Sequence, residues 1–107
     1  MKKLLLATAA TALIAGAAGA EEVKLGILIG FTGPIESLAP AMAAGAEMAM
    51  KEINDSGKLL NGSTITPIRA DSTCGDSAAG TAAAERLVTS DAVRGIVGIG
   101  CQTEHAQ

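Results

Sequence analysis

The chain has 107 residues, 49% of them hydrophobic, with 8 Lys and Arg against 11 Asp and Glu, one His, two Cys and one aromatic residue, Phe31. A formal charge of −3 excludes the basic footprint that nucleic acid or an anionic membrane surface requires. Without Trp or Tyr, the core has to be built from Ile, Leu, Val, Met and much Ala.

The first twenty residues carry the pattern of a secretory signal peptide. Lys2 and Lys3 make a positive start, Leu4 to Ala15 is an apolar run, and Ala18-Gly19-Ala20 supplies the small-x-small cleavage pattern. A membrane span needs about 20 apolar residues, and this run is shorter, so a cleaved leader is favoured over a retained anchor. No Cys follows the cleavage position, which argues against a lipid-anchored form. Cleavage before Glu21 leaves an exported mature part of about 87 residues, near the lower end of single-domain size. Without Lys2 and Lys3, 6 basic residues face 11 acidic ones, a formal charge of −5.

Val23 to Phe31 (VKLGILIGF) is a nearly continuous aliphatic run, expected to form a strand buried on both faces of a parallel sheet. Thr32-Gly33-Pro34 is a turn signal. From Leu38 to Asn54 the pattern is helical, with Met42, Ala46, Ala49 and Ile53 on one stripe and Glu47, Lys51 and Glu52 mostly off it. Pro40 belongs in a first helical turn, which places the start beside it with Ser37 as the cap, and Gly57 is a natural stop. A second strand is expected at Thr64–Ala70 (TITPIRA), at a sheet edge because Pro67 cannot donate to a ladder. After a loop at Asp71–Gly75, Asp76 can cap a helix over Ser77–Thr89, with Ala79, Ala83 and Leu87 as its buried stripe. A third aliphatic strand follows at Gly95–Gly100 (GIVGIG).

The order is β-α-β-α-β with short connections, so parallel strands, right-handed crossovers and a three-layer α/β architecture follow. No internal repeat, low-complexity tract or interdomain linker interrupts residues 21–107. Three strands and two helices leave aliphatic strand faces half covered, and a natural chain is expected to continue beyond Gln107.

The stretch GILIGFTGPIES, with Gly26, Gly30 and Gly33, invites a phosphate-binding reading and fails it. The spacing is G-x3-G-x2-G instead of G-x-G-x-x-G, Pro34 interrupts the helix start, and no Lys stands where a phosphate loop needs one. Catalysis fares no better. There is no G-x-S-x-G elbow, His105 has no Asp-oriented partner, Glu36 and Glu47 are single carboxylates, and the cysteines lack C-x-x-C spacing. The chain is therefore expected not to be an enzyme and to need no cofactor. For Cys74 and Cys101, an oxidising compartment makes a disulfide the default, worth roughly 3–4 kcal/mol in the loop-entropy model. Free thiols and a metal pair are the alternatives, although a Zn site needs two more ligands and His105 is the lone histidine.

Ligand binding is the chemistry that survives. In an open α/β sheet, small molecules settle beyond the carboxyl ends of strands where the strand order reverses. The loops expected there are Phe31–Leu38 and Cys101–Glu104. They bring backbone amides, the hydroxyls of Thr32, Ser37 and Thr103, and helix starts that suit an anionic group such as a carboxylate. Ser37 and Thr103 can equally be ordinary helix caps.

Four motifs resemble one known family when taken together: GILIGFTGP, the Gly45–Gly62 segment GAEMAMKEINDSG through NG, RADSTCGDSAAG, and LVTSDAVRGIVGIGC. In order and spacing, from Lys24 to Cys101, they are similar to the N-terminal part of type I periplasmic solute-binding proteins of the branched-chain amino-acid (Leu/Ile/Val-binding) group, which serve ABC importers. The resemblance implies two α/β lobes joined by a hinge, a small polar solute gripped between them, delivery to a membrane permease, and a periplasmic location. Residues 21–107 would then be part of the first lobe. It further implies a disulfide between Cys74 and Cys101, a side chain near Leu38 packing on the ligand, and a ligand-carboxylate contact from the residue after the second Cys. That residue is commonly Ser in the family and is Gln102 here, followed by Thr103. Either the ligand differs or the tail Gln102–Gln107 departs from the family's reading. Lys58, where relatives usually have Gly, is a smaller departure. An exported ligand sensor on the same fold and a thiol enzyme using Cys74 or Cys101 are the competing readings.

Overall fold

The computed structural model describes residues 19–98. Its elements are β1 (Glu22–Ile29), α1 (Ala39–Ser56), a short 3-10 turn (Leu60–Gly62), β2 (Thr64–Asp71), α2 (Ser77–Thr89) and β3 (Gly95–Gly98). The strands form one parallel sheet in the order β2-β1-β3. Glu22 to Ile29 pair in register with Thr64 to Asp71, and Leu25 to Leu28 with Gly95 to Gly98. The continuous aliphatic run of β1 thus belongs to the strand that, among the described residues, has a neighbour on each side.

Alternation along β1 sends its side chains to two cores on opposite faces of the sheet. On one face Ile27 and Ile29 pack with Ala39, Ala43 and Met50 of α1 and Ile65 of β2, flanked by Leu25, Phe31 and Ile35. On the other, Ala70, Ala83 and Leu87 pack with Leu28, Ile68 and Val93. The result is the expected three-layer α/β unit. Ile27 and Leu87 are fully buried, and burying a side chain of that size contributes about 1.5–3 kcal/mol. Small residues let α2 lie close to the strands: a Cβ on Gly26 would stand 2.8 Å from Leu87 Cδ1.

Several boundaries and faces depart from expectation. The first strand ends at Ile29, because Phe31 N–H turns back to donate to the Ile29 carbonyl at 2.9 Å, and the second runs one residue further, through Asp71. The buried face of α1 is Ala39, Ala43 and Met50, while Ile53 is 42% exposed and Ala49 is exposed. The stripe is rotated by less than one residue step of about 100°, because a helix made largely of Ala and Met offers little contrast between faces. Ser37 does not cap this helix. Leu38 holds the cap position with no side-chain hydrogen bond, and Pro40 stands in the first turn. A run of turns leads in instead, with Leu38 N–H and Ala39 N–H both donating to the Ile35 carbonyl. Asp76 does cap α2, accepting from Ala78 N–H at 2.9 Å, and Gly57 ends α1 with φ +68°. Ile96 and Val97 of β3 are 40% and 45% exposed, since both helices pack chiefly across β1 and β2.

Among the described residues β2 is an edge strand, and its outer side is capped at one position. Thr64 N–H and Ser72 N–H donate to the Glu21 and Ile29 carbonyls, so even-numbered backbone groups of β2 face β1 and odd-numbered ones face outward. Pro67 falls on the outward side, where a missing N–H costs nothing. Two positions earlier, the Asn54 side chain from α1 behaves as a substitute peptide: its Nδ2 donates to the Ile65 carbonyl at 2.9 Å and its Oδ1 accepts from Ile65 N–H at 2.7 Å. This blunts an edge that would otherwise pair with another chain. Asn54→Ala leaves both Ile65 groups without protein partners and is expected to destabilise the fold by about 1–3 kcal/mol. Urea unfolding followed by far-UV circular dichroism checks this, with Lys51→Ala, which removes only an exposed pair with Asp55, leaving the midpoint unchanged.

Candidate ligand-binding site

The strand order reverses at β1, between the β1-β2 and β1-β3 pairs. The crevice where open α/β sheets take ligands therefore lies outside the carboxyl ends of β1 and β3. The loop after β1, residues 30–38, is the described wall of that crevice. Cys101, Gln102 and Thr103, which follow β3 in the chain, lie outside the described residues. Beside the β1 loop runs the β2 loop, residues 72–76.

These two loops interlock. Asp71, the last residue of β2, accepts Thr32 N–H at 3.2 Å and Thr73 N–H at 2.9 Å on Oδ1, and the Thr32 hydroxyl at 2.6 Å on Oδ2. A Cβ on Gly30 would stand 2.6 Å from Cβ of Cys74. Gly33 has φ +101°, and a Cβ there would collide with the Thr73 carbonyl oxygen. These two glycines of the GILIGFTGP stretch are small because the neighbouring loop presses on them. On the β2 loop, Thr73 and Cys74 take φ +64° and +58°, a region that a β-branched residue such as Thr rarely enters.

Electrostatics follow the same geometry. Burial pushes the Asp71 carboxyl up, but hydrogen bonds from the Thr32 hydroxyl and from the Thr73, Thr32 and Phe31 amides outweigh it and hold the group below the usual carboxylate range. A second tie reaches in from α1. Arg69 Nε and Nη2 donate to Glu47 at 2.9 and 2.7 Å, and the Arg69 guanidinium stands 5.4 Å from the Phe31 ring centroid. The hydrogen bonds from Arg69 lower the Glu47 pKa. Glu47 is thus an ion-pair partner across α1 and β2.

Of the residues expected at the site, Thr32, Ser37 and Leu38 all sit exposed on the β1 loop, Leu38 at 55%. Thr32 is the one whose side chain has a partner there, Asp71. Cys74 is half-buried and is not a free thiol. Sequence reasoning missed Asp71, Thr73 and the Glu47–Arg69–Phe31 stack. The available signal was Asp71-Ser72-Thr73: an Asp that accepts the amide two residues on is an Asx turn. The partner loop, 39 residues away in sequence, left no such local trace.

The described residues thus form a parallel three-layer α/β unit with exposed, hydroxyl-bearing loop residues at the reversal point of its sheet. Residues 22–103 match the family model described as periplasmic binding protein, and the chain belongs to that family. It is 39% identical over 99 residues to the Leu/Ile/Val-binding protein homolog 7 of Brucella suis biovar 1, and equally to those of Brucella melitensis biotype 1 and Brucella abortus. Each alignment covers 92% of this chain and 24% of the relative, so the chain spans about a quarter of the length of the curated relatives it matches.

Asp71 and Glu47 both ionise more readily folded than unfolded. Their contribution to stability is therefore present above the ordinary carboxylate range and lost as pH falls through the lower, folded values. The unfolding midpoint is expected to hold between pH 7 and about 5 and to fall below about pH 4. Asp71→Asn is expected to remove part of that acid slope, as read by urea titrations across the range.

Proposed function

We propose that this chain forms one wall of the solute cleft in an exported, periplasmic binding protein that hands its ligand to an ABC permease. Residues 21–107 serve as the N-terminal part of the first lobe, after a leader cleaved behind Ala20. The observation that carries the reading is the position of the β1 loop: exposed, at the carboxyl edge of the sheet, where the strand order reverses, in a member of the periplasmic binding protein family. The names of the relatives favour a branched-chain amino acid or a related amide as ligand. Leu38 offers apolar contact to an aliphatic side chain, Ser37 and Thr32 offer hydroxyls, and Gln102 and Thr103, which follow β3 in the chain, supply further polar groups in this reading. No bond is made or broken.

A cleft wall used alone binds weakly, because it leaves most of the solute in water. Titration of the 15N-labelled chain with L-leucine, L-isoleucine or L-valine is expected to shift amides in residues 31–38, with a dissociation constant on the order of 1 mM, about −4 kcal/mol. A micromolar constant would overturn the shared-cleft reading, and unmoved 31–38 amides at saturating solute would remove the β1 loop from the site.

The reading also includes a Cys74–Cys101 disulfide bracing the β2 loop against the loop after β3, supported by the absence of a free thiol at Cys74 and by the oxidising compartment. Intact-mass spectrometry of chain recovered from the periplasm is expected to show a mature product beginning at Glu21 and lighter by two hydrogens than its dithiol form. A product with two alkylatable thiols would support the thiol-enzyme alternative instead.

A further inference from the structure

We propose that Asp71 is a positioning residue of the solute site, latching the β1 loop to the β2 loop so that the wall carrying Thr32, Ser37 and Leu38 is set before a ligand arrives. This rests on the cleft reading above. Ile29 and Asp71 are the last paired residues of their strands, and the final backbone rung is Ser72 N–H to the Ile29 carbonyl at 3.0 Å. Past that rung the two chains turn away into loops, and the Asp71 side chain takes over the cross-linking that the ladder no longer provides. It does so with three hydrogen bonds, two to Thr32 on one loop and one to Thr73 on the other.

What is latched is costly to hold otherwise. Thr73 and Cys74 stand consecutively at positive φ, and a conformation of this kind persists only where surrounding contacts determine it. The carboxylate anchors the first of the two through its amide. In the same place Gly33 runs so close to the Thr73 carbonyl that no side chain fits between them. Loop contact and Asp71 bonding therefore support each other: among the described residues the carboxylate is what joins Thr32 to Thr73 by hydrogen bonds, and without it the strained turn loses the bond to its Thr73 amide. Asp71 itself is half-buried and already accepts on both oxygens, which fits it to hold loops together more than to meet solute.

The test compares Asp71→Ala, Asp71→Asn and Thr32→Val in the full chain. Asn keeps one acceptor oxygen for the Thr32 and Thr73 amides, whereas Ala keeps none. In Asp71→Ala the Thr32 and Thr73 amide protons are expected to shift upfield and exchange roughly tenfold faster or more, while Ile27 in the core keeps its protection. The leucine-induced shifts in residues 31–38 are expected to shrink at the concentration that half-saturates the unmutated chain. Asp71→Asn restores both behaviours in large part. Thr32→Val, which removes only the hydroxyl bond, loosens Thr32 alone and serves if Asp71→Ala does not fold. Unchanged Thr32 and Thr73 amides in Asp71→Ala would overturn the latch. Loss of leucine response in Asp71→Asn with both amides still protected would overturn the positioning role in favour of direct ligand contact. If the unmutated chain shows no leucine response yet Asp71→Ala loosens both amides, the latch is supported and the cleft reading alone fails.

Discussion

Everything in this molecule depends on β1 being paired in parallel on both sides. Parallel neighbours cannot be joined by a tight hairpin, so each pair needs a crossover, and a helix is the compact way to make one. Because β2 lies to one side of β1 and β3 to the other, crossovers of one hand place α1 and α2 on opposite faces. The two separate cores on either side of the sheet are that consequence made visible. The same constraint collects every strand's carboxyl end along one edge, which is why loops far apart in sequence meet there.

At that edge a problem arises that backbone pairing does not solve. The ladder stops at Ile29 and Asp71, yet the loops continue side by side and must stay in register without it. Close approach is achieved by Gly30 and Gly33, and polar attachment by Asp71. Its depressed pKa is the energetic signature of that role: burial works against the charge, and hydrogen bonds from the two loops more than offset it. The Arg69–Glu47 pair does less of this work, being partly exposed and so weakened by solvent screening. Its part is geometric, laying a flat cation near Phe31 at the root of the β1 loop.

Much of the fold was legible because its signals are local. Pro67 announced an edge strand, Asp76 a cap, Gly57 a stop, and the runs around Ile27 and Val97 announced strands without alternation. The buried face of α1 was not legible, since Ala recurs on every side of it and the true face is selected by Ile27 and Ile29 across the layer. Ser37 misled for a related reason. A hydroxyl before a helix is a good cap only if the backbone arrives extended, and here it arrives already turning from Gly33 to Ile35. At the site, the position of the β1 loop could be foreseen from strand order alone. Its attachment to Asp71 could not, because a hydrogen bond across 39 residues has no periodicity to betray it.

The geometry also changes what Thr32 can offer. A threonine hydroxyl has one proton to donate, and here that proton is directed to Asp71 Oδ2 at 2.6 Å. Thr32 can therefore accept a hydrogen bond from a solute, for instance from an ammonium or amide N–H, but it cannot donate to a carboxylate without opening the latch. Among the described residues of the β1 loop, the exposed hydroxyl that could instead donate to an anionic group is that of Ser37. Thr32 thus belongs to the frame that ties the β1 loop to the β2 loop, with Ser37 and Leu38 exposed further along the same loop.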